Sequence, residues 1–116
     1  MKSVEDLDVF KLSHEMVLNV YTVTRDFPDE ERFGLTSQMR RAAYSVPMNL
    51  VEGASRLNSK EYRQFVGIAK GSAAEVKYQI SLANDLGYID RKTSQEMISN
   101  YERIGQMLNA LAKSLK

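Results

Sequence analysis

The chain has no cysteine and no tryptophan, only one histidine, two prolines and six glycines. Without cysteine there is no disulfide framework, no thiolate nucleophile and no sulfur ligand for zinc, a composition at home in a reducing compartment. With a single imidazole, His14, the Glu-x-x-His pairs of a di-iron bundle cannot be assembled. His14 follows Lys11 by three residues and reads as a helix-face residue with no special role. HExxH, the phosphate-loop lysine motif, GxGxxG and GxSxG are all missing. No apolar run approaches the ~20 residues of a membrane span. The N-terminal MKSVEDLDVF carries acids where a signal peptide needs an apolar core. These absences argue against a catalyst, a metal or cofactor carrier and a secreted or membrane protein. What they leave is a cytoplasmic chain that works by binding.

What is present fits one small folded domain spanning residues 1–116, with 43% hydrophobic and 27% charged residues. The net charge of +1 hides an asymmetry. Residues 1–39 hold four basic and eight acidic side chains, residues 40–77 seven and three, and residues 78–116 five and four. The middle third is the basic one.

Apolar residues recur at spacings of three and four, never two, which predicts helices throughout. Val9, Leu12, Met16, Val20, Val23 and Phe27 form one row of a first helix, with Phe10, Val17 and Tyr21 beside it. That face is wide enough either to be buried within the protomer or to leave surface for a partner. A second helix follows Leu35, Met39, Ala42, Val46 and Leu50 to about Arg56, and Pro47 should kink it near Ala43 or break it. Asn58 with Glu61 three residues on resembles a capping box opening a third helix, whose core row is Tyr62, Phe65, Ala69, Ala73, Val76, Ile80 and Ala83. Gly87 is placed to end it in the left-handed conformation. Asp90 can cap a fourth helix, whose seam is Met97, Tyr101, Ile104, Leu108, Leu111 and Leu115. Short connections make neighbouring helices antiparallel, so the expected fold is all-α, an antiparallel up-down-up-down four-helix bundle. Gly67 and Gly71 suggest close approach of another backbone.

Two polar patterns stand out. Arg41, Ser45, Asn49, Glu52 and Arg56 lie on one strip of the second helix. Folding the third helix back about the turn near Asn58 sets Glu52 against Arg63 and Arg41 against Glu75, a polar seam that would fix helix register. The alternative is a ligand site. Arg63, Lys70 and Lys77, seven residues apart, form a basic row on the third helix with no acid three or four residues away. Arg40 is likewise unpaired locally, and Lys60 adds charge at the start of that helix. Such a row is either a solvated face or a surface that gains affinity for RNA or DNA by displacing counterions from phosphates. No aromatic platform accompanies it, so base stacking is not indicated.

The run FPDEERFGLTSQMRRAAYSVPMNLVEGASR, followed by FVGIAKGSAAE and GQMLNAL, resembles the four-helix-bundle proteins encoded in 23S ribosomal RNA intervening sequences. It is also similar to the accessory variability determinant of diversity-generating retroelements. The match runs from Asp8 to Leu115 and is densest at Phe27-Pro28, Glu31, Leu35, Gln38, Arg40-Arg41-Ala42, Ser45, Asn49, Glu52-Gly53 and Arg56. Val46 stands where isoleucine is usual, and Leu50-Val51 where isoleucine-alanine is commoner. The resemblance implies a four-helix protomer assembling as a homopentamer around a central channel and does not imply an enzyme; no cofactor is expected. In the retroelement branch it implies a basic surface that meets nucleic acid and a reverse transcriptase.

Overall fold

Four helices account for most of residues 3–115, the part of the chain that the computed structural model describes: α1 (Asp8–Thr24), α2 (Leu35–Ala54), α3 (Ser59–Asp85) and α4 (Arg91–Ser114). Residues 1, 2 and 116 of the expected 1–116 bundle lie outside the described residues. Single turns of 3₁₀ helix, Val4–Asp6 and Asp29–Glu31, precede α1 and α2, and the described residues hold no strand. Each helix packs on the next in sequence and α1 closes onto α4, giving an antiparallel up-down-up-down four-helix bundle with extents of 43, 25 and 20 Å. At 1.5 Å per residue α3 alone runs ~40 Å, nearly the full length of the bundle.

The helix ends are set by local chemistry. Asn58 Oδ1 accepts from the Glu61 amide at 2.9 Å, while Asn58 Nδ2 donates to Glu61 Oε2 at 3.1 Å. The amide thus caps α3 and also holds the carboxylate that would otherwise reach back to the backbone. Gly87, at φ 81°, closes α3. The Tyr88 amide donates to the Ala83 carbonyl at 2.8 Å and the Gly87 amide to that of Asn84 at 3.0 Å, the paired bonds of a Schellman stop. Asp90 Oδ1 accepts from the Thr93 amide at 2.7 Å and caps α4.

Two boundaries differ from expectation. The helical row drawn through Phe27 ends three residues early, because Thr24 Oγ1 donates to the Val20 carbonyl and the Arg25 and Phe27 amides tighten onto Thr22 and Thr24. Phe27 is still buried, packed at a tilt against Tyr88 with ring centroids 5.2 Å apart. Pro47 does not break α2, which continues to Ala54 with Val46, Pro47 and Leu50 all buried. Burial of the turn around the proline offsets the one lost backbone bond.

The core follows the expected seams except on α3, where Val66 is buried and the expected Phe65 is only half-buried: Val20 from α1, Met39, Val46 and Leu50 from α2, Val66, Ala69, Ala73, Val76 and Ile80 from α3, and Met97, Tyr101, Ile104 and Leu108 from α4. The wide apolar face of α1 is largely absorbed inside the protomer. Val9, Met16 and Val17 are buried and Phe10, Leu12, Tyr21 and Val23 pack against the core, leaving Leu18 as its one exposed large apolar side chain. Surface apolar residues gather instead on α2 and α3, where Tyr44, Met48, Val51 and Ile68 are exposed.

Gly67 and Gly71 are corrected outright. Both are exposed, and a methyl group at either would meet nothing within 4 Å. Close approach occurs at Gly53 instead, where α2 meets the start of α3.

Candidate nucleic-acid interface

The strip on α2 does not form the expected ion-pair seam. Among the described residues no ion pair joins Arg41 to Glu75 or Glu52 to Arg63. Glu52 takes Arg56, in the turn just beyond α2, at 3.1 Å, and the Arg56 guanidinium lies 4.7 Å over the Phe65 ring, so Arg56 is the cation that crosses to α3. Positions equidistant from a turn share a level but not a direction. Arg63 is two residues, ~200° around the helix, from Phe65 and faces α4.

Arg41 and Glu75 do line one open groove of about 650 Å³ between α2 and α3, yet both stay exposed. An exposed pair is worth only ~0–1 kcal/mol, too little to hold two long side chains together. One short polar pair ties the helices across this groove, held in place by a neighbour on α2. Asn49 Nδ2 donates to the Ser45 carbonyl at 2.7 Å and to its Oγ at 2.9 Å, and Ser45 Oγ meets Ser72 Oγ at 2.9 Å.

The basic row sits on the opposite side of α3. Lys60, Arg63 and Lys70 line a depression of about 350 Å³ against α4. Lys70 and Lys77 line the next, of about 450 Å³, and the two share Lys70 and Asn109. Together they make one groove along the α3–α4 boundary, with cations repeating every ~10.5 Å along its α3 rim. Gly67 and Gly105, with open space above them, keep it clear of side chains. Gln106 and Asn109 supply polar groups from α4. Neither stood out in the sequence, because both lie beside the seam of α4 and carry no charge.

Two members of the basic set are engaged. Lys77 Nζ lies 3.4 Å from Glu102 Oε2 on α4. The acid comes from the neighbouring helix, so spacing along α3 alone does not reveal it. Arg40 belongs to a different surface. Its Nε donates to Thr24 Oγ1 at 2.9 Å and its guanidinium stacks 4.6 Å from the Tyr21 ring, fastening α2 to α1. Lys60, Arg63 and Lys70 are exposed and have no carboxylate within 4.0 Å among the described residues.

Among the described residues no three His, Cys, Asp or Glu side chains group where they could hold a metal ion, and no helix is long and apolar enough to cross a membrane.

No curated protein matches the chain. A solved structure similar to it is that of a protein of unknown function from the S23 ribosomal protein family of Bacteroides thetaiotaomicron. The two share 21% sequence identity over 90% of this chain and 95% of that one, with a TM-score of 0.83. At that identity the likeness establishes the fold. The family model described as 23S rRNA-intervening sequence protein matches residues 5–110. A four-helix bundle matched over nearly its whole length by that model belongs to the 23S rRNA-intervening sequence protein family.

Proposed function

We propose that the protein is a non-catalytic, homo-oligomeric bundle, five copies to the ring, that holds RNA or DNA by its phosphates along the α3–α4 groove. In this reading it acts directly or beside a nucleic-acid enzyme such as a reverse transcriptase. The observation that carries the reading is the set of unpaired cations, Lys60, Arg63 and Lys70, on one rim of a continuous groove. Each phosphate neutralised releases counterions, and in a ring the row would recur in every copy, so weak contacts would add into avidity for a flexible polyanion. With no aromatic residue exposed along the rim, recognition would be of the backbone and nearly blind to sequence.

The test compares the parent with the triple variant Arg63→Gln, Lys70→Gln, Lys77→Gln in binding mixed-sequence RNA and DNA at several salt concentrations. Parent affinity should fall linearly with log salt. The variant's slope on duplex DNA should be shallower by about 2 to 3, at ~0.9 per phosphate contact. Unchanged binding by the variant, or none by the parent at low salt, would sink the reading.

A scaffold without nucleic acid is the second reading, favoured by the exposed Tyr44, Met48, Val51 and Ile68. Both readings require self-association. Light scattering should give a mass near five times the 13.2 kDa protomer, and a monomer across a dilution series would remove the ring.

A further inference from the structure

We infer that a small cavity where α1 hands over to α2 is a binding site for a phosphate-type oxyanion, separate from the α3–α4 groove. The cavity, about 260 Å³, is lined by three arginines, Arg25, Arg32 and Arg40, and by the hydroxyl residues Thr24 and Thr36. Asp29 is the one carboxylate on its wall. None of the three guanidiniums has a carboxylate within 4.0 Å among the described residues.

Arg40 is the group that demands an explanation. It is half-buried, and a cation withdrawn from water is costly unless something of opposite charge meets it. Only its Nε is used, donating to Thr24 Oγ1, and Thr24 in turn donates to the Val20 carbonyl at 2.7 Å, so the acceptor is itself fixed. The Tyr21 ring, 4.6 Å away, supports the guanidinium from one side. Two terminal nitrogens are left held in position with no protein acceptor, an arrangement suited to paired bonds with an oxyanion. Thr36 points to the same ligand. It is 8% exposed, lines the cavity, and its hydroxyl makes no side-chain hydrogen bond among the described residues.

The charge selects the ligand class. Three guanidiniums against one carboxylate leave two net positive charges, which match the dianion of inorganic phosphate or a phosphomonoester better than a carboxylate or a phosphodiester. The volume is below the ~300–1,000 Å³ of pockets for drug-sized ligands, so it admits a phosphoryl head with a short substituent.

The experiment titrates the full chain with inorganic phosphate, methyl phosphate and dimethyl phosphate, against sodium chloride at matched ionic strength. Amide chemical shifts and the thermal midpoint are the readouts. Phosphate and methyl phosphate should bind saturably, with Kd on the order of 1 mM, and the diester at least about tenfold more weakly. Arg40→Gln should abolish binding. Because Arg40 also fastens α1 to α2, Thr36→Val and Arg32→Gln serve as milder probes, each expected to weaken phosphate binding about tenfold with the fold intact. The triple glutamine variant of the α3 row should bind phosphate like the parent, which separates this site from the nucleic-acid groove. Equal responses to phosphate and chloride, or unaltered phosphate binding in Thr36→Val and Arg32→Gln, would overturn the site. A diester bound as tightly as the monoester would overturn the dianion assignment.

Discussion

Replacing Gly53 with valine is expected to lower stability by about 3 kcal/mol, a large fraction of the ~5–15 kcal/mol that holds a domain folded. A Cβ at this position would lie 2.8 Å from Phe65 Cβ, 3.0 Å from Tyr62 Cδ1 and 3.3 Å from the Tyr62 carbonyl oxygen. Two of those atoms cannot swing away, since one is the root of a side chain and the other is backbone. The start of α3 would have to move off α2, and the Arg56 guanidinium that covers Phe65 would move with it. Alanine separates the terms. It gains ~1 kcal/mol of helix propensity over glycine but meets the same contacts, so a net loss of about 1–2 kcal/mol is expected. Gly67→Ala and Gly71→Ala make the opposite prediction, because nothing lies within 4 Å of either new methyl group. Each should stabilise by about 0.5–1 kcal/mol. Urea denaturation of the four variants reads all of this, and a Gly53→Ala protein as stable as the parent would show that the two helices adjust freely.

The contrast between Gly53 and the Gly67–Gly71 pair shows which features were legible in the sequence. Asn58, Gly87 and Asp90 could be read because capping and left-handed stops involve residues within a few positions of one another. The seams could be read because an apolar stripe reports directly which side of a helix is buried. A GxxxG spacing says that one side of α3 is small, but whether a neighbour stands there depends on how the helices are arranged around the core. No neighbour does, and the small side becomes a groove wall.

Ion pairs failed for the same reason. Arg41 and Glu75 share a level and a groove without touching, while Glu52 and Arg63 share a level and face different neighbours. Arg40 looked free because its partners, Thr24 and Tyr21, lie across the α1–α2 turn and carry no charge. Of the five residues proposed for nucleic acid, four line the α3–α4 groove. The fifth, Arg40, belongs to the cavity at the other side of α2.

Tyr101→Phe should make the protein more stable, and more so in alkali. Tyr101 is 1% exposed, and its hydroxyl is buried with no hydrogen-bond partner among the described residues. A buried donor left unpaired costs ~1–3 kcal/mol of desolvation, so phenylalanine, which keeps the ring and removes the donor, should gain about 1 kcal/mol at neutral pH. Burial also pushes the Tyr101 phenol well above its ordinary value. A group whose pKa is raised by folding contributes stability that is intact below its unfolded pKa, ~10 for tyrosine, and lost as pH climbs from there toward the folded value. The parent should therefore weaken steeply above a pH of about 10, because unfolding releases a phenol that ionises freely. Tyr101→Phe removes that part of the slope. It will not remove all of it, since the Tyr62 phenol is raised by burial and that of Tyr88 by its hydrogen bond to Glu31. Tyr88→Phe is the internal control. Its hydroxyl donates to Glu31 Oε2 at 2.9 Å while Glu31 Oε1 accepts from the Leu35 amide at 3.2 Å, so losing it loosens the cap on α2 and should destabilise. Urea midpoints of the parent and both variants, at neutral pH and near pH ~11, give the comparison. A Tyr101→Phe protein weaker than the parent at neutral pH would mean that the hydroxyl does have a partner in solution, and the bundle core would have to be redrawn around a polar group.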